Sequence, residues 1–146
     1  MRDNIFKKLT HSAENYEIIA IGAEISKGYK PDCVLRSGND YIIMECDTGT
    51  TRKGFVGGMI KAAKYLTGEK KGIVIFVLKE KENTTVEQIY AHLKPYFEWI
   101  EPLTNLRELF VISTTNYCSA ETPIKLLDAD FMNHAKRIVR LKNKTF

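Results

Sequence analysis

Three acidic residues lie along the stretch KPDCVLRSGNDYIIMECDTGT: Asp32 directly behind Pro31 and, thirteen positions on, Glu45 and Asp47 on either side of Cys46. Side chains two apart on an extended strand project from one face, with Cα atoms about 7 Å apart at ~3.3–3.4 Å per residue. Thirteen positions suffice for one strand out, a four-residue turn and one strand back, so Asp32 can converge on the pair across a hairpin. Oxygen donors on rigid strands suit a hard cation such as Mg²⁺, with water and a substrate phosphate completing its octahedron. A cation held there polarises a phosphodiester, acidifies an attacking water and steadies the leaving oxygen. Without one, three carboxylates repel each other and shift their pKa values. The chemistry this spacing suggests is phosphodiester hydrolysis.

The plainer reading is that Pro-Asp is a common turn pair and Glu-x-Asp a solvated strand face. Against it, YIIME is apolar up to Met44. The acids therefore emerge from a buried strand into the loop Thr48-Gly49-Thr50-Thr51, where sites in α/β sheets tend to lie.

The elements that must position these residues follow from periodicity. Ile5, Phe6 and Leu9, behind Asp3 and Asn4, predict a short amphipathic helix from Asp3 to about Ser12. YEIIAIGAEIS reads as a strand kinked at Gly22, and Gly28 to Pro31 as a turn. CVLRSGNDYIIMECD reads as two strands joined by Ser37-Gly38-Asn39-Asp40. Val56, Met59, Ile60, Ala63 and Leu66 predict a helix from about Lys53 to Thr67, closed by Gly68. GIVIFVLKE lacks alternation, as a strand buried on both faces does. Thr84, Thr85, Glu87 and Gln88 resemble a capping box before a helix with Ile89, Leu93, Phe97 and Ile100 on one face despite Pro95. RELFVIST reads as another interior strand, and ETPIKLLDADFMNHAKRIVRLKNK as a final helix, entered near Pro123 and ending in a basic tail. The order is helix, hairpin-rich segment, then alternating helices and strands: one mixed α/β domain over residues 1–146, antiparallel in its first half and parallel in its second.

Pro31-Asp32, the spacing to Glu45 and the run Glu45-Cys46-Asp47 resemble the signature of the PD-(D/E)xK, or restriction-endonuclease-like, nuclease superfamily. The resemblance covers about residues 1–115, by element order more than by identity. It implies a mixed β-sheet flanked by helices and a Mg²⁺-dependent DNA endonuclease, with Mn²⁺ as an alternative ion. Asp32, Glu45 and Asp47 are then the metal ligands and, with a lysine, the catalytic set. The departure is at Asp47, where the family usually has a lysine that stabilises charge building on the phosphate. A carboxylate there adds a metal ligand or acts as a base. The family's lysine is in some members on the following helix, where VGGMIKAAKYL offers Lys61 and Lys64. Lys61 is the first choice, because Gly57 and Gly58 one turn earlier leave room for another backbone to approach; Lys53 is the second. A further acid from the first helix would be Glu14 or Glu17. The run ECDTGT is also similar to an ExDxGT variant in nuclease-like proteins of mobile elements, which points to a mobile-element, recombination or restriction context.

Several features bear on the alternatives. The excess of 22 Lys and Arg over 18 Asp and Glu, a net +4, is compatible with a polyanion such as DNA. Cys33, Cys46 and Cys118 are odd in number and show no metal spacing, which fits a reducing cytoplasm and neither disulfides nor zinc. Neither a signal-peptide h-region nor a membrane-length apolar run is present. GxGxxG, Walker, HExxH and GxSxG patterns are absent, which argues against nucleotide-driven motors, zinc proteases and serine hydrolases and gives no reason to expect a nucleotide cofactor. His11, His92 and His134 read as structural or surface residues, and Cys46 as a small core residue. Tyr96, Phe97 and Trp99 are core or base-stacking aromatics. Lys136, Arg137, Arg140, Lys142 and Lys144 are a helix-end cluster favoured by the dipole, or a DNA-contacting arm. Cutting both strands of a duplex favours a homodimer or a larger complex. The rival readings are the same fold with its lysine and catalysis lost, serving as a DNA-binding or assembly module, and a plain α/β interaction domain whose acids are surface residues.

Overall fold

The computed structural model describes residues 1–47 and 52–140, with Asp3 and Asp47 described through their backbone. The expected loop at 48–51 and the tail lysines Lys142 and Lys144 lie outside the described residues.

Ser37 pairs with Asp40, so Gly38 and Asn39 alone make the turn of the hairpin. Gly38 has φ +61°, as the first position of such a two-residue turn requires. The turn joins β2 (Cys33–Ser37) to β3 (Asp40–Asp47), and β1 (Glu17–Ala20) adds to the outer side of β2, also antiparallel. β3 then pairs in parallel with β4 (Lys71–Leu78), and β4 in parallel with β5 (Leu106–Ser113). The described strands make one six-stranded mixed sheet in the order β1-β2-β3-β4-β5-β6. The crossovers are α2 (Arg52–Tyr65) and α3 (Val86–Ile100), as parallel neighbours require.

α2 and α3 cover one face of the sheet, where Phe55, Met59, Leu93 and Phe97 pack on Ile43, Val74 and Val111. α1 (Asp3–Lys8), α4 (Thr114–Tyr117) and α5 (Ala129–His134) cover the other, where Phe6, Tyr117 and Phe131 pack on Ile42, Met44, Ile75 and Ile112. This is an α/β fold, a mixed six-stranded sheet flanked by helices, consistent with the restriction-endonuclease-like arrangement. Thr85 caps α3 in a reciprocal capping box with Gln88. α2 is rotated from the expected face: Phe55 and Ala62 are buried and Ile60 is exposed.

The last segment differs from the expected basic helix. α5 spans only Ala129–His134, behind Asp128, and the chain then extends as β6 (Lys136–Val139), antiparallel to β5. β5 would otherwise leave a row of unpaired backbone groups at the sheet edge. Ile138 and Val139 are β-branched residues that suit a strand, and Ile138 is buried in the core.

Candidate active site

Cys33 faces Met44 in the β2–β3 ladder. Asp32 immediately precedes β2, and Glu45 follows Met44 on β3. Alternation places Glu45 on the α2 side of the sheet, with Ile43. Asp32 is only 8% exposed. Its Oδ2 accepts the Cys46 N–H at 2.7 Å, which holds the carboxylate against the end of β3. Its backbone oxygen accepts the Gly22 N–H at 3.1 Å. Lys7, from α1, brings its Nζ to 3.8 Å from Asp32 Oδ1. Gly22, at φ +67°, leaves space for the lysine stem, because a Cβ there would lie 3.0 Å from Lys7 Cε.

Glu45 reaches toward α2. A Cβ added at Gly58 would lie 2.7 Å from Glu45 Oε2 and 3.3 Å from Phe76 Cε1. The room expected beside the glycine pair is thus taken by a carboxylate rather than by a backbone. Tyr29 is buried beside these acids. Burial first, then Glu45, then the charge of Asp32 push its hydroxyl pKa well above the usual tyrosine value, so it stays protonated. Burial and the Asp32 charge push the Cys33 thiol up to about 12, leaving it without thiolate reactivity.

The remaining candidates fall as follows. Asp47 ends β3, opposite Leu78; its side chain lies outside the described residues. Lys61 is exposed on α2, one turn beyond Gly58, and Lys53 and Lys64 are exposed on the same helix. Glu14 lies 3.9 Å from Lys125, and Glu17 is 74% exposed and pairs with Arg36. Arg36 stands four residues along β2 from Asp32, roughly 13 Å, so Glu17 belongs to the far end of the strand. His11 is buried, with Nδ1 2.6 Å from the Tyr117 hydroxyl and Nε2 2.8 Å from the Phe6 carbonyl. Phe97 is core, whereas Tyr96 and Trp99 are exposed.

The basic cluster has acidic partners. Lys136 meets Glu87 at 2.7 Å, Arg137 holds Glu108 through two bonds of 2.9 Å, and Arg140 Nε lies 2.6 Å from the buried Glu101. These cations anchor β6 to the sheet and to α3. A free arm for DNA is therefore absent from the described part of this cluster.

Among the described residues no group of three or more His, Cys, Asp or Glu side chains is arranged to hold a metal ion. Asp32 and Glu45 supply two carboxylates. That number suits Mg²⁺, which binds through one or two carboxylates plus water and phosphate oxygens, and does not suit a structural zinc. Periodicity gave no sign of Lys7 or Tyr29, since both reach the acids through tertiary packing. The glycine pair in α2 was the visible signal for the contact at Glu45.

No protein-family model matches the chain, and no curated protein matches it. A solved structure similar to it in part is that of Pyrococcus furiosus SfsA in complex with Ca²⁺. It is 12% identical, with a TM-score of 0.36 over 68% of this chain and 49% of that one. The chain spans about half the length of SfsA. At that TM-score the likeness carries no argument. Among the described residues, no helix is long and apolar enough to cross a membrane.

Proposed function

We propose that this chain is a metal-dependent deoxyribonuclease. The observation that carries the reading is the placing of the Asp32 carboxylate against the end of β3, where it accepts the N–H of Cys46, the residue next to Glu45. Each carboxylate is held by its own contact, Asp32 by the Cys46 N–H and Glu45 by its packing against Gly58. Asp32 and Glu45 would hold Mg²⁺, or Mn²⁺ in its place, with Asp47 as a third ligand or base. The ion supplies Lewis acidity toward a phosphate oxygen and acidifies bound water.

The protein's own groups do the rest. The Cys46 N–H fixes the orientation of Asp32, and preorganised acids require no reordering at the moment of reaction. Tyr29, protonated and buried, can donate its hydroxyl toward Glu45. Lys7 stands closest to Asp32 of the lysines considered and supplies positive charge where Asp47 replaces the family's lysine. Lys61 is the second source of that charge, from α2. A homodimer or larger complex would supply the second cut of a duplex, in a cytoplasmic mobile-element, recombination or restriction setting.

One observation favours a second reading, a nuclease fold that binds DNA without cutting it. Both oxygens of Asp32 already have protein neighbours, the Cys46 N–H and Lys7. The deciding experiment incubates supercoiled, linear, single-stranded and four-way-branched DNA with Mg²⁺ and then Mn²⁺, using wild type and Glu45→Gln. Nicking that needs the ion and disappears in the variant supports the nuclease. DNA binding with no cleavage by wild type in either ion selects the second reading.

A further inference from the structure

Three lysines are left without a role by the site described above. Lys27, Lys64 and Lys70 line a cavity of about 360 Å³ between α2 and the segment linking β1 to β2, with Ser26, Tyr65 and Thr67 among its walls. No carboxylate lines it. Lys70 Nζ lies over the Tyr65 ring, 5.0 Å from its centroid, and Tyr65 in turn meets Tyr41 edge-on at 5.5 Å. One ammonium group is therefore held in place by cation–π attraction.

Other cations on this surface find acids, as Lys125 does with Glu14 and Lys136 with Glu87. Lys27, Lys64 and Lys70 have no such ion pair among the described residues. α2 itself carries Arg52, Lys53, Lys61 and Lys64 and no acidic residue. The helix dipole favours a cation at Lys64, in the last turn. It explains neither Lys27, on another segment, nor Lys70, beyond the helix. Three ammonium groups around one cavity repel each other unless an anion enters, and the Ser26 and Thr67 hydroxyls can donate to the same oxygens.

We propose that this cavity seats a backbone phosphate of a polynucleotide, at a fixed distance from the phosphate addressed by Asp32 and Glu45. The proposal rests on the nuclease reading and extends it to the path of the substrate. From Gly58, which touches Glu45, to Lys64 is six helical residues, about 9 Å. At ~3.4 Å per nucleotide along one strand, the seated phosphate lies two or three nucleotides from the acids. Lys61 stands between the two points on α2.

The test measures binding of a fluorescent DNA duplex by anisotropy in EDTA, from 50 to 200 mM salt. The proteins are wild type, the triple variant Lys27→Gln/Lys64→Gln/Lys70→Gln and a charge control, Lys79→Gln/Lys94→Gln. Each neutralised phosphate contributes about 0.9 to the slope of log affinity against log salt, so the triple variant, which gives up the one seated phosphate, loses about 0.9 of slope. Wild type then weakens about 3.5-fold more than the triple variant over this range. The charge control keeps the wild-type slope. An unchanged slope in the triple variant overturns the proposal, as does a wild type that binds no duplex at 50 mM salt. A parallel arm measures thermal unfolding with millimolar inorganic pyrophosphate. Stabilisation of wild type but not of the triple variant, with equal DNA slopes, would assign the cavity to a small phosphorylated ligand and overturn the polynucleotide assignment. Because no divalent ion is present, slope and cleavage fail separately: a lysine-dependent slope in a protein that never cuts DNA keeps the cavity and removes the nuclease.

Discussion

Gly58→Ala isolates the geometry of the site from the stability of the fold. Replacing a helix-interior glycine by alanine ordinarily stabilises by about 1 kcal/mol. At this position the new methyl would sit 2.7 Å from Glu45 Oε2 and 3.3 Å from Phe76 Cε1. Ordinary contact begins near 3.4 Å, so the carboxylate must retreat by about 0.7 Å while the ring yields about 0.1 Å. The retreat is cheap, since the displaced atom ends a flexible side chain, and net stability stays within about 1 kcal/mol of wild type. Function is less tolerant: misplacing a reacting group by about 1 Å costs on the order of 100-fold, so 0.7 Å should cost some tens of fold in metal-dependent cleavage. Mn²⁺ affinity measured by calorimetry should weaken in parallel. Gly57→Ala is the control, because a Cβ there meets nothing within 4 Å. It should gain the helix-propensity increment and keep both activities. If Gly58→Ala matches Gly57→Ala in cleavage and in Mn²⁺ affinity, the contact between α2 and Glu45 has no part in the site.

Other outcomes can be checked on the same protein. Mg²⁺ at a hundred times its dissociation constant should raise stability by about 2.7 kcal/mol, on the order of 5–10 °C in melting temperature, with no rise in Glu45→Gln. Burial lowers the His11 pKa against the opposing effect of its Phe6 carbonyl bond. The unfolded chain thus takes up a proton near pH 6.5 that the folded chain resists, and the His11 contribution is complete above about pH 6.5 and declines as the pH falls below it. Urea unfolding of wild type and His11→Phe at pH 5 and pH 7.5 should show the smaller pH difference in the variant. Glu101→Gln leaves Arg140 beside a neutral amide in a largely buried pair. It should destabilise by about 2–4 kcal/mol in denaturant titration, and a loss under 0.5 kcal/mol would remove the pair from the forces holding β6.

Much of the architecture was legible because local chemistry and tertiary demands agree. The Gly38-Asn39 turn, the unbroken apolar run of β4 and the Thr85 capping box each have a local cause that survives in the fold. The acids were legible for the same reason: one hairpin brings Asp32 and Glu45 together, and a hairpin is short in sequence. Lys7 was not, because it arrives from α1 and no periodicity encodes so distant a meeting; Tyr29, close to Asp32 in sequence, was not, because it lies in a turn segment with no strand or helix period to mark it. β6 was misread because Lys136 and Arg137 ahead of Ile138 and Val139 suit a helix end as well as a strand. The vacant edge of β5 decides between them, and an edge is a property of the assembled sheet.

Cys33, Val34 and Leu35 are all buried, so β2 is apolar on both faces. Sliding β2 by one residue against β3 would exchange Val34 for Leu35 in the core with little loss, since neither face penalises the swap. The same slip would turn Asp32 to the other side of the sheet, away from Glu45. What opposes it is the turn at Gly38 and Asn39 together with the bond from the Cys46 N–H to Asp32. A turn variant can therefore fold, melt cooperatively and pass every stability screen with its two acids on opposite sides of the sheet. Inactivation without unfolding is the failure this hairpin is most exposed to, and it would originate six residues from the chemistry it abolishes.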